Sequence, residues 1–491
     1  MRRAIRFLLN GELQEMASID PTMTVLDWLR LDKRLCGTKE GCAEGDCGAC
    51  TILVGRLVAG EVVYEAINSC IRFVATLDGC HAVTVDYLKR RTGRLHPVQQ
   101  AMVECHGSQC GFCTPGIVMS LLGLWLAHDS APGRDRIGEA LAGNLCRCTG
   151  YGPILLAMGR AYDIAQPCDD AFQMERAEIA ARLAQLADGE PLAIDDGERQ
   201  FLAPASPDHL AGLCIDYPDA TIVAGATDVG LWITKDLQRP KTILYLGRVA
   251  GLADIADHGG HLTLGAMASL AASRQALAAL HPQIDELLRR FGSQQVRNAG
   301  TIGGNIANGS PIGDLAPVLI ALGASLALRR GHARRILPVQ DFFLAYHKQD
   351  RLPGEFVEAV HVPKLQAGAL FHVSKISKRF DEDISALCGA FHLALDANGV
   401  VRHARLAFGG MAATPMRAAK AEAALIGQAF SHAAAEAAAC AIAGDFTPLD
   451  DWRASARYRA TVAANLIRRF HLESSGPPLR VAGLLREAID G

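Results

Sequence analysis

The chain has no excess of one charge. Lys and Arg number 49 against 52 Asp and Glu, a net charge of −3, so nothing electrostatic points to nucleic acid or a membrane surface as partner. No apolar run reaches the ~18 residues that a bilayer span needs. The N-terminus, Met1-Arg2-Arg3-Ala4-Ile5-Arg6-Phe7, is basic, but no apolar stretch or small-residue cleavage site follows, so no signal peptide is expected. Internal repeats and low-complexity tracts are missing too. The sixteen histidines show no H-x-x-x-H metal spacing. What the chain does have is cysteine, fifteen in all. Without an export signal, these point to a reducing compartment, the cytoplasm, and to metal ligation rather than disulfides. The length of 491 residues, 50% of them hydrophobic, suggests about three domains with ample cores.

Eight of the cysteines fall into two patterned groups. Cys42, Cys47 and Cys50 stand in C-x4-C-x2-C spacing, and Cys70 follows after nineteen residues. Cys110 and Cys113 form C-x2-C, and after thirty-two residues Cys146 and Cys148 form C-x-C. Two groups of four thiols match the ligand count of two iron–sulfur clusters. The C-x-C partner and the lack of a βαβ pattern speak against a thioredoxin-type pair. Cys36, Cys80, Cys105, Cys168, Cys214, Cys388 and Cys440 are scattered and read as small hydrophobes.

Local signals order the rest. Residues 3–9 read as a strand, Asn10-Gly11 as a tight turn and the next residues as a second strand. Thr24 reads as the N-cap of a helix with Asp27 in its first turn. Gly37, Gly41, Gly45 and Gly48 punctuate the first cysteine loop, where glycine allows positive φ and bare N–H groups aimed at sulfur. Strand character returns at 51–54 and 62–64, the order expected of a small ferredoxin-like domain over 1–80. The texture over 81–165 is helical. His96-Pro97 opens one helix, Thr114-Pro115 another with Thr114 as N-cap, and 136–142 and 153–164 suggest two more. Residues 166–197 read as a linker with one helix around 174–187.

From 198 the chain turns to strands and glycine-rich turns. One turn ends the apolar strand Thr221-Ile222-Val223-Ala224-Gly225-Ala226-Thr227-Asp228. The other lies in Thr301-Ile302-Gly303-Gly304-Asn305, with Asp314 beyond it. Such turns can cradle a pyrophosphate on backbone N–H groups. Neither is a G-x-G-x-x-G after a strand, which disfavours a Rossmann site, and a non-Rossmann flavin site over 198–368 is the better reading. Residues 369–491 read as a small α+β domain with strands at 387–395 and 403–408 and alanine-rich helices from 417.

The phrases GCAEGDCGACTILVG, QCGFCTPGIVMS, GNLCRCTGYGPI, TIGGNIANGSPIGDLAP and KISKRFDEDISA resemble the iron–sulfur/FAD part of the molybdenum hydroxylases. Within that family the likeness is greatest to the small subunit of the two-subunit xanthine dehydrogenases, and it covers nearly the whole chain. It implies an α+β multidomain fold with four parts: a β-grasp [2Fe–2S] domain, a four-helix-bundle [2Fe–2S] domain, a non-Rossmann FAD domain of the PCMH or vanillyl-alcohol-oxidase type, and a small C-terminal α+β domain. Cys42, Cys47, Cys50 and Cys70 would hold a plant-type cluster. Cys110, Cys113, Cys146 and Cys148 would hold a second, nearer the molybdenum. The first flavin loop would be Thr221, Ile222, Val223, Ala224, Gly225, Ala226, Thr227, Asp228 and Val229. The second would be Thr301, Ile302, Gly303, Gly304 and Asn305. Asp314, Phe291 and Lys375 would contact the flavin. An aliphatic contact falls on Val357, a smaller residue here.

The activity so implied is an oxidoreductase relay. Electrons released at a molybdopterin centre, on a separate large subunit, would pass through two [2Fe–2S] clusters to FAD and then NAD⁺. No catalytic residue for substrate is expected in this chain, and the resemblance implies a dimer of heterodimers. Hypoxanthine and xanthine are the implied substrates. The same relay could serve an aldehyde or N-heterocycle hydroxylase, and a flavin-free ferredoxin-like carrier is the reading from another class. Fusion of clusters and flavin in one chain disfavours the carbon-monoxide-dehydrogenase arrangement. The run Lys378-Arg379-Phe380-Asp381-Glu382-Asp383 is either a solvated face or, as the resemblance implies, a flavin-side loop that steers electrons to NAD⁺ or oxygen. Glu44 and Asp46 read as solvated, though their charge would lower the potential of a cluster beside them.

Overall fold

The structure, a computed structural model, describes residues 1–474 and 476. The last part of the expected C-terminal domain, 477–491, lies outside the described residues.

The N-terminal module is a five-stranded sheet in the order Glu12–Met16, Ile5–Leu9, His81–Val83, Thr51–Val58, Glu61–Asn68. Asn10 at φ 52° and Gly11 at φ 84° make the tight turn between the first two strands. The twist of a two-residue hairpin demands positive φ there, which is why the pair signals it. Thr24 Oγ1 accepts from the Asp27 N–H at 3.0 Å, capping the helix that begins at Val25. That segment buries Val25, Trp28 and Leu29 against Ile5, Phe7 and Ile52, and Leu26 on its other side against Cys50, Cys70 and Ile71.

Helices Pro97–Glu104, Thr114–Ala127, Arg134–Leu141 and Gly152–Ile164 form the bundle. Thr114–Ala127 is apolar nearly all round and runs through the middle, burying Ile117, Leu121, Leu124 and Trp125, as a fully enclosed helix must. His96 caps Pro97–Glu104 with Nδ1 accepting from the Val98 N–H, while Gln99 Oε1 accepts from the His96 N–H. Thr114 is not the N-cap expected of it. Cys113 holds that position and Thr114 is already helical, its hydroxyl 2.7 Å from that of Ser108.

The stretch 166–197 is no loose tether. Phe172, Ile179 and Leu183 are buried in the bundle core, and helix Arg176–Leu186 packs on strand Glu61–Asn68. Strand Leu192–Asp195 then joins Gln200–Ala203, Thr242–Tyr245 and Thr221–Val223 in a four-stranded sheet. Leu192 and Ile194 are buried with Ile5 and Phe201, so the apolar positions of this polar-looking stretch are what fasten it.

The central region adds a five-stranded antiparallel sheet in the order Ile255–Asp257, His261–Gly265, Phe356–Pro363, Ser325–Arg330, Ala333–Pro338. Helix Leu315–Leu322, buried throughout, touches it at Phe356–Pro363 but packs chiefly on strands Leu387–Leu395 and Val401–Gly409 of the C-terminal module. The C-terminal module is an antiparallel sheet of Leu370–Ile376, Leu387–Leu395, Val401–Gly409 and Met416–Arg417 with helices Ala419–Leu425, His432–Ala441 and Ala456–Ser474. Phe391, Phe408, Ile467 and Phe470 fill its core. The whole is the mixed α+β multidomain architecture expected. Among the described residues, no helix is long and apolar enough to cross a membrane.

Candidate functional site

The first cysteine loop wraps inward. Cys42 Sγ accepts from the backbone N–H groups of Glu44 and Cys47, both at 3.4 Å. Ala43, Gly45 and Gly48 take positive φ to aim them. The Cys42 thiol contacts those of Cys47 and Cys70, and Cys70 contacts Cys50. These contacts pull Cys42 far below the usual thiol range and push Cys47 and Cys70 far above it. Cys50 and Cys70 are each 2% exposed. A Cβ on Gly41 would lie 2.7 Å from Cys47 Sγ, and one on Gly45 2.7 Å from Ile71 Cδ1. Four converging sulfurs with N–H groups aimed at them fit a small thiolate-ligated cluster.

The second group sits at one end of the bundle. Cys113 opens the central helix, and Cys146 and Cys148 lie just before Gly152–Ile164. Burial and the neighbouring Cys146 thiol push Cys113 up to about 12. Cys110 is close enough to add to that shift. The Cys146 N–H donates to Tyr151 Oη at 2.8 Å, and Cys146 Sγ lies 3.2 Å from Thr149 Oγ1. Cys110 and Cys148 are exposed. So are the apolar residues between and beside the ligand positions, Phe112 at 49% and Leu145 at 47%.

The two glycine-rich turns meet. A Cβ on Gly225 would fall 1.9 Å from the Ala299 carbonyl oxygen, so only glycine lets the first loop reach the start of the second. Ala226 takes φ 61°. Thr301 caps the short helix Ile302–Asn308, its Oγ1 accepting from the Gly304 N–H at 3.1 Å. Asn305 Oδ1 is buried with no hydrogen-bond partner, an acceptor that a ligand in the cradle would satisfy. Burial raises the Asp228 carboxyl above its ordinary range, against hydrogen bonds from Trp232 and Asn308. Asp314 and Lys375 form one buried pair, with Lys375 Nζ 2.5 Å from Asp314 Oδ2. Ser385 completes it, its Oγ donating to Asp314 Oδ1 at 2.5 Å and accepting from Lys375 Nζ at 3.1 Å. Sequence reasoning did not single out Ser385, although it lies inside the KISKRFDEDISA phrase. Phe291 is partly buried, its carbonyl accepting from Arg297. Val357 is buried opposite Leu328, on the strand against which Ile302–Asn308 packs. The convergent glycines and the orphaned amide oxygen suit a dinucleotide such as FAD.

Contacts missed in the sequence join the cradle to the first cysteine group. Helix Val229–Thr234 follows the first glycine-rich turn directly. Thr234 Oγ1 donates to the Ala43 carbonyl at 2.8 Å, and Lys235 Nζ to the Cys42 carbonyl at 2.5 Å. A Cβ on Gly230 would lie 2.5 Å from the carbonyl oxygen of Ile71, next to Cys70. The charged run 378–383 is held by Arg290, which donates to the Phe380 and Lys375 carbonyls and lies 4.7 Å from the Phe380 ring centroid. Burial and the neighbouring Asp46 push the Glu382 carboxyl up to about 8, so this loop faces the first cysteine loop.

Family comparisons agree with this layout. A [2Fe-2S] binding domain matches 84–159, the FAD binding domain in molybdopterin dehydrogenase matches 197–365, and the CO dehydrogenase flavoprotein C-terminal domain matches 372–474. The chain is an iron–sulfur/FAD member of the molybdenum hydroxylases. It is 32% identical to a xanthine dehydrogenase of Emericella nidulans over 95% of this chain and 38% of that protein. It is 31% identical to a xanthine dehydrogenase/oxidase of Rattus norvegicus over 83% of this chain and 34% of that protein. The chain thus spans well under half the length of these relatives. Among solved structures it resembles carbon monoxide dehydrogenase from Hydrogenophaga pseudoflava, with a TM-score of 0.52 and 29% identity over 55% of this chain and 94% of that one. It also resembles quinoline 2-oxidoreductase from Pseudomonas putida 86, with a TM-score of 0.51 and 25% identity over the same shares.

Proposed function

We propose that this chain passes electrons from a molybdenum centre on a large partner subunit to NAD⁺, entering at the second cysteine group and leaving at the flavin cradle. The observation that carries the order is the gradient of exposure. Cys110 and Cys148 lie at the surface in an apolar rim, whereas Cys50 and Cys70 lie inside, under a helix that springs from the flavin loop. When bound, the clusters supply one-electron steps and FAD supplies the two-electron exchange with a nicotinamide.

The chain's own groups do the holding. Cys42, Cys47, Cys50 and Cys70 ligate the inner cluster, and Cys110, Cys113, Cys146 and Cys148 the outer one. The N–H groups of Glu44 and Cys47 hydrogen-bond a ligand sulfur. The loops at 221–229 and 301–305 seat the pyrophosphate, and Asp314, Lys375 and Ser385 form a fixed buried polar group. Phe112 and Leu145 give the partner subunit an apolar landing around the outer cluster.

The xanthine dehydrogenase relatives favour xanthine as a substrate of the assembled enzyme; hypoxanthine and a dimer of heterodimers are what the family resemblance implies. The likeness to quinoline 2-oxidoreductase favours a second reading, the same relay serving an N-heterocycle hydroxylase. None of the fifteen cysteines is in a disulfide, in keeping with a cytoplasmic setting. Anaerobic titration of the purified chain with NADH, followed by absorbance and low-temperature EPR, tests the proposal. Bleaching of the flavin with two distinct [2Fe–2S] signals is expected. Clusters that reduce with dithionite but not with NADH would remove the nicotinamide step.

A further inference from the structure

We propose that Gln295 is a positioning residue that fixes the spacing of the two cysteine groups from each other and from the flavin cradle. This rests on the relay reading above. Gln295 stands on helix Gln294–Ala299 of the flavin-binding region and is fully buried, at 0% exposure. Its amide nitrogen reaches across to both cysteine-bearing modules: Thr51 Oγ1 at 3.2 Å, Ser120 Oγ at 3.2 Å and Asn144 Oδ1 at 3.0 Å. Asn144 ties the network to the ligand loops, while Gln295 Oε1 is buried without a hydrogen-bond partner among the described residues. Asn144 accepts from Ser120 Oγ at 2.6 Å and donates to the Gly48 carbonyl at 3.1 Å and to Thr51 Oγ1 at 3.3 Å.

The members of this network flank ligand positions. Gly48 follows Cys47, Thr51 follows Cys50, Asn144 stands two before Cys146, and Ser120 lies on the helix that Cys113 immediately precedes. Glycines bring the same loops together backbone to backbone. A Cβ on Gly48 would fall 2.0 Å from the Gly143 carbonyl oxygen, and one on Gly116 would fall 2.1 Å from that of Gly48. A Cβ on Gly143 would meet Ser293 Cβ, on the flavin side, at 2.3 Å. A polar seam serving stability alone could lie anywhere along these faces. This one lies where both ligand loops and the flavin-side helix converge, and buried networks of this kind fix one geometry because each lost member strands its partners.

Gln295→Met keeps the length of the side chain and removes the amide. The test compares native and variant chains that retain iron and flavin, fully reduced, by low-temperature EPR, and follows cluster-to-flavin electron transfer by stopped flow. The native chain is expected to show magnetic splitting between the two reduced clusters. The variant should lose or broaden that splitting and slow the transfer, while the optical spectrum of each cluster stays unchanged. Unchanged splitting and transfer overturn the proposal. Ser120→Ala removes one acceptor and should give the same change to a smaller degree; if Gln295→Met does not fold, an unaltered splitting in Ser120→Ala overturns it instead. A native chain without two clusters would sink the relay reading, a separate outcome.

Discussion

The two cysteine groups are equal in number and opposite in setting. The first is enclosed: Cys50 and Cys70 are buried, and Thr234 and Lys235 from the flavin side hydrogen-bond its loop. The second ends in exposed cysteines, Cys110 and Cys148, with uncovered Phe112 and Leu145 beside them. The difference teaches that thiol spacing alone does not give a centre its place in a relay. What surrounds the loop does. The inner group faces a neighbour within the same chain, and the outer group faces the surface.

The largest effects should come from the ligands themselves. Cys148→Ser is expected to halve the iron content while leaving the ferredoxin-like module folded, because its core around Ile5, Phe7, Trp28, Ile52 and Phe73 contains no residue of the bundle. Iron analysis and circular dichroism check this. Cys50→Ser should instead disturb both the inner cluster and the packing around Leu26 and Ile71, which share its buried cluster, and so lower the melting temperature as well.

Next comes the buried Asp314–Lys375 pair. Asp314→Ala leaves Lys375 as a buried, uncompensated cation, both side chains being under 5% exposed. Breaking such a pair costs about 3–5 kcal/mol. Denaturant unfolding should show that loss, and gel filtration should show release of flavin with both iron–sulfur signals kept. Gly230→Val should cost about 1–3 kcal/mol by overpacking against Ile71. It should perturb the EPR signal of the inner cluster and not that of the outer one, which sharpens the comparison directly.

A smaller effect concerns pH. Glu382 is raised to about 8 by burial and by Asp46. Between the ordinary carboxylate range and about 8, the folded chain keeps this proton and the unfolded chain has lost it. Stability should therefore fall as pH rises through that window. Glu382→Gln should flatten the fall, read as melting temperature against pH.

Much of this was legible in the sequence because the signals are local. Cysteine spacing marks the ligand loops, Asn10-Gly11 marks a hairpin, and His96-Pro97 marks a helix start, each set by neighbouring residues alone. Threonine before proline commonly caps a helix, but here the Thr114 hydroxyl engages Ser108 and Cys113 takes the cap position without a capping side-chain hydrogen bond. The stretch 166–197 resembles a linker in sequence because its apolar residues are sparse, yet Phe172 meets Tyr64, Tyr87 and His96, and the helix that carries Ile179 and Leu183 packs on strand Glu61–Asn68. Ser385, Lys235 and Gln295 act through partners 71, 193 and 244 positions distant. Such pairings leave no mark on local pattern.

The comparison between inner and outer groups is tested most directly by reducing the Cys148→Ser chain with NADH under anaerobic conditions, following flavin absorbance and EPR together. If the inner group stands between flavin and outer group, the flavin should bleach and the remaining [2Fe–2S] signal should appear as fast as in the native chain. Failure of that remaining cluster to reduce, with flavin bound and bleached, would place the outer group between them and contradict the account.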